Sequence, residues 1–176
     1  IEVGVFNPQI QAIVSAVGVA HDGSSISFTA PNGDAQAKLL SQTLNRSDLE
    51  EVGTSIDHFE THGTGTPLGD PNEISAIVSA LNTSGNYHDV SFGGVKANIG
   101  HLEAAAGLAG VIAAVNILKN ELVPPNAGLK ELNPRIQNII SKTKTMCHFP
   151  KKMQSLRKLT QKPQNIPLAV GVSSFG

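Results

Sequence analysis

Ser55-Ile-Asp-His-Phe-Glu-Thr-His-Gly-Thr-Gly-Thr-Pro-Leu-Gly-Asp-Pro71 passes through three kinds of local structure in one short stretch. Ser55 to Glu60 reads as a short strand. Thr61 to Pro71 is a Gly/Thr/Pro loop, the composition of irregular backbone. A helix follows from about Pro71 to Leu81, with proline in its first turn and Asp70 as the expected N-cap. His62 therefore falls where a strand gives way to a helix, the edge at which α/β folds place their chemistry.

A second histidine occupies a similar frame. Val90 to Ala97 reads as a strand, and Lys96-Ala-Asn-Ile-Gly-His-Leu-Glu103 leads to His101. His101 or Leu102 opens a long helix ending near Leu122, stopped by Pro124-Pro125. That helix contains Ala104-Ala-Ala-Gly-Leu-Ala-Gly110. Glycine inside a helix costs roughly 1 kcal/mol against alanine, so the small residues predict a buried central helix approached closely by other backbone. Its N-terminus would bring a partial positive charge to the imidazole. Two imidazoles converging on one point can hold a carbonyl oxygen and stabilise charge developing on it.

The same pattern extends outward. Gln11 to Ala20 is rich in Ile, Val and Ala and reads as a strand; His21-Asp-Gly-Ser24 reads as a turn. Pro31-Asn-Gly-Asp34 starts a helix running to about Leu44, with Asn32 or Asp34 near its N-terminus. Leu168 to Ser173 is a last strand. Alternating strands and helices predict a layered α/β domain. No internal repeat or low-complexity tract interrupts it.

Composition narrows the function classes. Of 176 residues, 40% are hydrophobic and 15% charged, which suits a globular chain rather than a disordered one. A single cysteine excludes an internal disulfide and favours a reducing compartment, so the cytoplasm is expected. Neither a signal-peptide pattern nor a bilayer-length apolar run is present, and no membrane partner is expected. Charge is unevenly spread: all 14 acidic residues lie at or before Glu131, whereas eight of the 13 basic ones follow it. Arg135, Lys142, Lys144, Lys151, Lys152, Arg157, Lys158 and Lys162 read as a solvated basic loop or as a docking surface for an acidic partner. Nucleic acid is not expected, because Phe149 is the only aromatic in that run and no binding motif accompanies it.

Other chemistries fit poorly. Gly63, Gly65 and Gly69 have the wrong spacing for a dinucleotide fingerprint, and Pro67 interrupts them. There is no phosphate-binding Gly-x-x-x-x-Gly-Lys loop. No metal is expected, since the histidines are far apart and the one cysteine has no partner spacing. Cys147, between Met146 and His148, matches no nucleophile motif and reads as an ordinary cysteine.

Several phrases together carry a resemblance. They are His62-Gly-Thr-Gly-Thr-Pro-Leu-Gly-Asp-Pro71, Val95-Lys-Ala-Asn-Ile-Gly-His-Leu-Glu-Ala-Ala-Ala-Gly107, Pro124-Pro-Asn126, Leu132-Asn-Pro134 and Gly171-Val-Ser-Ser-Phe-Gly176, with Thr29-Ala-Pro-Asn-Gly33 before them. Their order and spacing resemble the C-terminal half of a β-ketoacyl synthase, most nearly the ketosynthase domains of type I polyketide synthases, over almost the whole chain from about Val14. Residues 1–176 are then expected to be a fragment of such a domain, cut at both ends, without the nucleophile half and without the closing Phe-Gly-Gly loop.

The resemblance implies a thiolase-like fold, with a helix-covered sheet and a central buried helix. It implies decarboxylative Claisen condensation: a cysteine in the other half takes an acyl group from an acyl carrier protein, and a malonyl-type unit then loses carbon dioxide and attacks it. His62 and His101 match the catalytic histidines. Lys96 matches a lysine of the active-site polar network, although its sequence position also suits a surface lysine. Glu103 either pairs with Lys96 or is a first-turn helix acid favoured by the dipole. Thr64 and Thr66 match threonines that contact the phosphopantetheine arm of the carrier protein, against the plainer reading of a Gly/Thr turn. No directly bound cofactor is implied, the phosphopantetheine arm being a substrate carrier. The implied partners are the carrier protein, the missing half of the domain and a second copy in a homodimer. The fragment alone is expected to be inactive and poorly stable.

Three positions depart from the family pattern: Ala20 replaces a common Asn, Thr61 a usual Ala and Asn72 a usual Ile. None removes a catalytic group. A thiolase would lack the His-Gly-Thr-Gly-Thr phrase. The alternative of another class is a ketosynthase-like subunit without its cysteine, acting as a scaffold or chain-length partner.

Overall fold

The computed structural model describes residues 10–21, 32–51, 53–83 and 88–175. The predicted turn at His21-Asp-Gly-Ser24 and the phrase beginning at Thr29 lie largely outside them.

Four parallel strands form the main sheet, in the order β4 (Cys147–His148), β2 (Val90–Gly93), β1 (Ile56–Glu60), β6 (Ala169–Val172). β1 lies at its centre, hydrogen-bonded to β2 on one side and β6 on the other. β4 continues the sheet beyond β2. Every residue of β1 is buried, as expected for a parallel strand covered on both faces.

On one side, Ile56, Phe59, Val90 and Phe92 pack with Ile74, Ile77 and Val78 of α2 (Gly69–Thr83). Helix α1 (Gly33–Asn45) lies against α2, and α5 (Pro134–Ile140) adds Ile136 to the same core. Asn32 caps α1, its side chain accepting from Ala35 N–H at 3.1 Å, one of the two alternatives that the sequence offered. A second cluster, Ile117, Val123 and Leu156, links α4 (Ala106–Asn120), β3 (Leu122–Val123) and α6 (Leu156–Leu159). β3 and β5 (Gln154–Ser155) form a separate two-stranded antiparallel ribbon.

Several boundaries differ from expectation. Residues 11–20 form no strand; Ile13, Val14, Val17 and Val19 are exposed, and no neighbouring strand among the described residues pairs with them. β2 ends at Gly93, and Lys96–Ile99 make one helical turn, α3. The long helix begins at Ala106, after a 3₁₀ turn over Glu103–Ala105, so His101 does not sit at its N-terminus. Asp70 is inside α2 instead of capping it; Thr66 Oγ1 accepts Gly69 N–H and Asp70 Oδ1 accepts Gly65 N–H, both at 3.0 Å.

The small residues of α4 meet other elements as expected. A Cβ on Gly110 would lie 3.1 Å from Val172 Cγ1 and 3.4 Å from Glu60 Cγ, and one on Gly107 3.3 Å from Ser174 Oγ. Ala106, Gly110, Ala114 and Ile117 are buried, but Leu108, Val111 and Ile112 on the opposite face are exposed.

The basic region is not simply a loop, since it contains α5, β4, β5 and α6. Arg157 and Lys162 are paired internally. Arg157 grips Glu121 through two contacts of 2.8 Å. Lys162 is largely buried, 3.1 Å from Asp57 and bonded to Ser55 O. Lys151 and Lys152 remain exposed, with Lys151 Nζ donating to Lys130 O.

Candidate functional site

The C-terminal ends of β1, β2 and β6 lie side by side, with Glu60 in register with Gly93 and with Val172. The segments leaving those ends carry His62, Lys96 with His101, and Ser173 with Phe175. Adjacent parallel strands thus bring together groups far apart in sequence.

The two histidine rings meet. Their centroids are 5.6 Å apart at an interplanar angle of 84°, and the Phe175 ring stands 5.8 Å from His62 on another edge. Thirty-nine positions of chain separate the imidazoles, and the fold brings the two rings together.

Each histidine is held differently. Glu103 N–H donates to His101 Nδ1 at 2.9 Å. Nδ1 is then an acceptor, so the proton of the neutral ring lies on Nε2 and is available as a donor. A single backbone N–H, not a helix N-terminus, orients this imidazole. Glu103 adopts φ +47 in this turn, a backbone region uncommon for residues other than glycine. The Glu103 carboxylate makes no ion pair with Lys96 among the described residues; its main chain is what touches the site.

His62 is half-buried and its Nδ1 has no protein partner. Burial is the largest influence on this ring, followed by the charge of Lys96 and then that of His101. Together they lower its pKa from 6.5 to about 4. It is therefore a neutral imidazole near pH 7. Lys96, at the start of α3, acts on His62 through its charge.

A residue missed by the sequence reading holds the His62 loop. Glu73 of α2 is 3% exposed. Its carboxylate accepts from His62 N–H at 2.7 Å, from Gly63 N–H at 3.0 Å and from the Ser173 hydroxyl. Burial pushes this carboxyl up from its ordinary range, against the lowering effect of those donors. The signal was present: Glu73 lies on the buried stripe of α2 with Ile74, Ile77 and Ala80, where an acid needs internal partners. Phe175 was also missed.

Thr64 and Thr66 are exposed at the rim, and Thr66 spends an oxygen lone pair on Gly69 N–H while keeping a proton to donate. Cys147 lies on β4, and burial followed by the charge of Asp89 pushes its thiol up to about 11. It stays protonated near neutrality and is a poor nucleophile. Among the described residues no three His, Cys, Asp or Glu side chains gather as a metal site. No helix among them is long and apolar enough to cross a membrane.

Comparison with known proteins identifies the family and the fold. Residues 11–130 match the family described as "Beta-ketoacyl synthase, C-terminal domain". The hybrid PKS-NRPS synthetase iccA of Talaromyces variabilis is 41% identical over 95% of this chain, which spans 4% of that protein. The partially reducing polyketide synthase tpeA of Talaromyces stipitatus is 45% identical over 72% of the chain, covering 5% of its own length. Among solved structures, a mutant form of the ketosynthase from module 6 of the bacillaene synthase of Bacillus subtilis 168 superposes with a TM-score of 0.81. It is 27% identical over 95% of this chain and 29% of its own. The fold is thus that of the C-terminal part of a thiolase-like ketosynthase domain.

Proposed function

The chain belongs to the β-ketoacyl synthase family through its C-terminal domain, and on that premise we propose that it supplies the two-histidine half of a condensing site in a polyketide synthase. The reaction is a decarboxylative Claisen condensation. A malonyl thioester on a carrier protein loses carbon dioxide, its C2 forms a bond to the carbonyl carbon of an acyl thioester, and the acyl carbon–sulfur bond breaks. The acyl group is held on a cysteine outside these residues, because Cys147 is too buried and too weakly acidic for that role.

The observation that carries this reading is the perpendicular His62–His101 pair with His62 kept neutral. A neutral imidazole hardly donates a full proton at pH 7, but its N–H can hold a thioester oxygen while enolate charge builds on it. Donors fixed before the reaction need no reorganisation during it. Burial chiefly, with the charge of Lys96 adding to it, keeps His62 in that form. Glu73 fixes the main chain on either side of the ring, and Phe175 excludes water from one edge.

The reading extends to the carrier protein. Thr64 and Thr66 stand at the rim, where a phosphopantetheine arm would enter, and exposed Lys151 and Lys152 offer a cationic surface to an acidic carrier. A homodimer and a cytoplasmic setting complete it.

In the full-length synthase, His101→Ala should lower malonyl decarboxylation and elongation by about 10²–10³-fold, the effect of losing one preorganised oxyanion donor. Elongation at the parent rate would overturn the assignment. Charge reversal at Lys151 and Lys152 should weaken carrier binding at low salt and have little effect at high salt, where exposed charges are screened. Equal affinities at low salt would leave the carrier docking elsewhere.

A further inference from the structure

Glu60 ends β1, two residues before His62, and is 3% exposed. Its Cγ faces α4 beside Gly110. A carboxylate buried there needs strong donors. Oε1 accepts Val95 N–H at 2.5 Å, and Val95 immediately precedes Lys96 and the α3 turn that leads to His101. The main-chain oxygen of Glu60 accepts Ser173 N–H at 3.0 Å, on the segment that ends in Phe175. One residue therefore touches all three segments of the site.

Below Glu60 lies His58, 1% exposed, with Nε2 3.9 Å from Glu60 Oε2 and both ring nitrogens without a hydrogen-bond partner. His58, Glu60 and Asn98 share a cavity of about 30 Å³ with the apolar side chains of Ala113, Val123 and Pro124. The carboxylate thus has an imidazole and a small, mostly apolar cavity behind it and one loop N–H in front. A well-packed apolar residue would fill the same position without desolvating a charge, so packing alone does not account for the acid.

We propose that Glu60 is a positioning residue for the condensing site: its carboxylate, backed by His58, fixes the Val95 main chain so that Lys96 and His101 face His62. The proposal rests on the condensing reading above. Glu60 touches neither histidine ring and acts through the backbone it holds.

The test uses the full-length synthase with Glu60→Leu, Glu60→Gln and, as a control, His101→Ala. Acyl loading of the nucleophilic cysteine and condensation with malonyl-carrier are measured separately. Glu60→Leu should lower condensation kcat by about 100-fold, the scale of an ångström-sized misplacement. Its acyl loading and its KM for malonyl-carrier should stay within about twofold. Glu60→Gln keeps an acceptor oxygen for Val95 N–H and should recover to within about tenfold of the parent. Condensation by Glu60→Leu at the parent rate would overturn the proposal. So would equal losses in Leu and Gln, or loss of loading together with condensation, since those report a fold defect. An active His101→Ala enzyme would overturn the condensing reading itself; an inactive one beside an active Glu60→Leu overturns only the role of Glu60.

Discussion

The segment that carries His62 and the segment that carries His101 reach the same space by opposite means. The first leaves a strand buried at every position and is clamped by a buried carboxylate with three donors. The second, residues 97–105, is exposed throughout and holds its imidazole with one backbone bond. One histidine is fixed by the core of this chain and carries a depressed pKa; the other is fixed by a strained turn. Sites placed on rigid elements keep their geometry more tightly than sites placed on loops. The contrast implies that His62 sets the frame and that His101 is the side on which the geometry is more readily lost.

The largest expected effect is on the His62 side. Glu73→Ala would leave the His62 and Gly63 N–H groups and the Ser173 hydroxyl without their acceptor, lowering unfolding free energy by about 3 kcal/mol. Chemical denaturation of the chain measures this, and a loss below about 0.5 kcal/mol would remove the contrast in rigidity.

On the His101 side the effect should appear in turnover more than in stability. Glu103→Pro deletes the N–H that holds Nδ1 and cannot adopt φ +47. Condensation by the full-length synthase should fall about tenfold. Glu103→Gly keeps the N–H and suits the left-handed backbone, so it should lie much closer to the parent. If both variants fall alike, the carboxylate matters and the backbone bond does not.

The smallest effect is electrostatic. Lys96→Met removes one of the influences that lower His62, so the imidazole midpoint should rise from about 4 but stay below 6.5, because burial is the larger cause. NMR titration of the ring reads this directly. A depressed imidazole also links folding to pH. Between about 4 and 6.5 the unfolded chain binds the proton and the folded one does not, so stability rises with pH through that window and falls on acidification. A midpoint unmoved by Lys96→Met would detach Lys96 from the site.

Much of this was legible in the residues, for identifiable reasons. The β1–loop–α2 succession, the Asn32 cap and the close approach around Gly107 and Gly110 follow from local chemistry: turn residues, a capping amide and small side chains. His62 and His101 stood out because their glycine-rich frames mark strand ends. Residues 11–20 misled because β-forming composition makes no strand without a pairing partner. The helix start was displaced because Glu103 adopts φ +47, which side-chain pattern does not announce. Helix α5 could have been found, since Asn133 caps it and Pro134 occupies its first turn. β4 and β5, two residues each, carry too little pattern to read. For Glu73 the buried stripe of α2 announced an acid in need of internal partners, but not which ones, because they are mostly backbone N–H groups.

The central sheet also has a temporal side. β6 comes last in the chain, yet it pairs directly with β1 and leads to the Ser173 hydroxyl that reaches Glu73. During synthesis β1 therefore emerges more than a hundred residues before its second neighbour exists. The β1–β6 pairing is thus the most distant in sequence within the sheet and closes the largest loop.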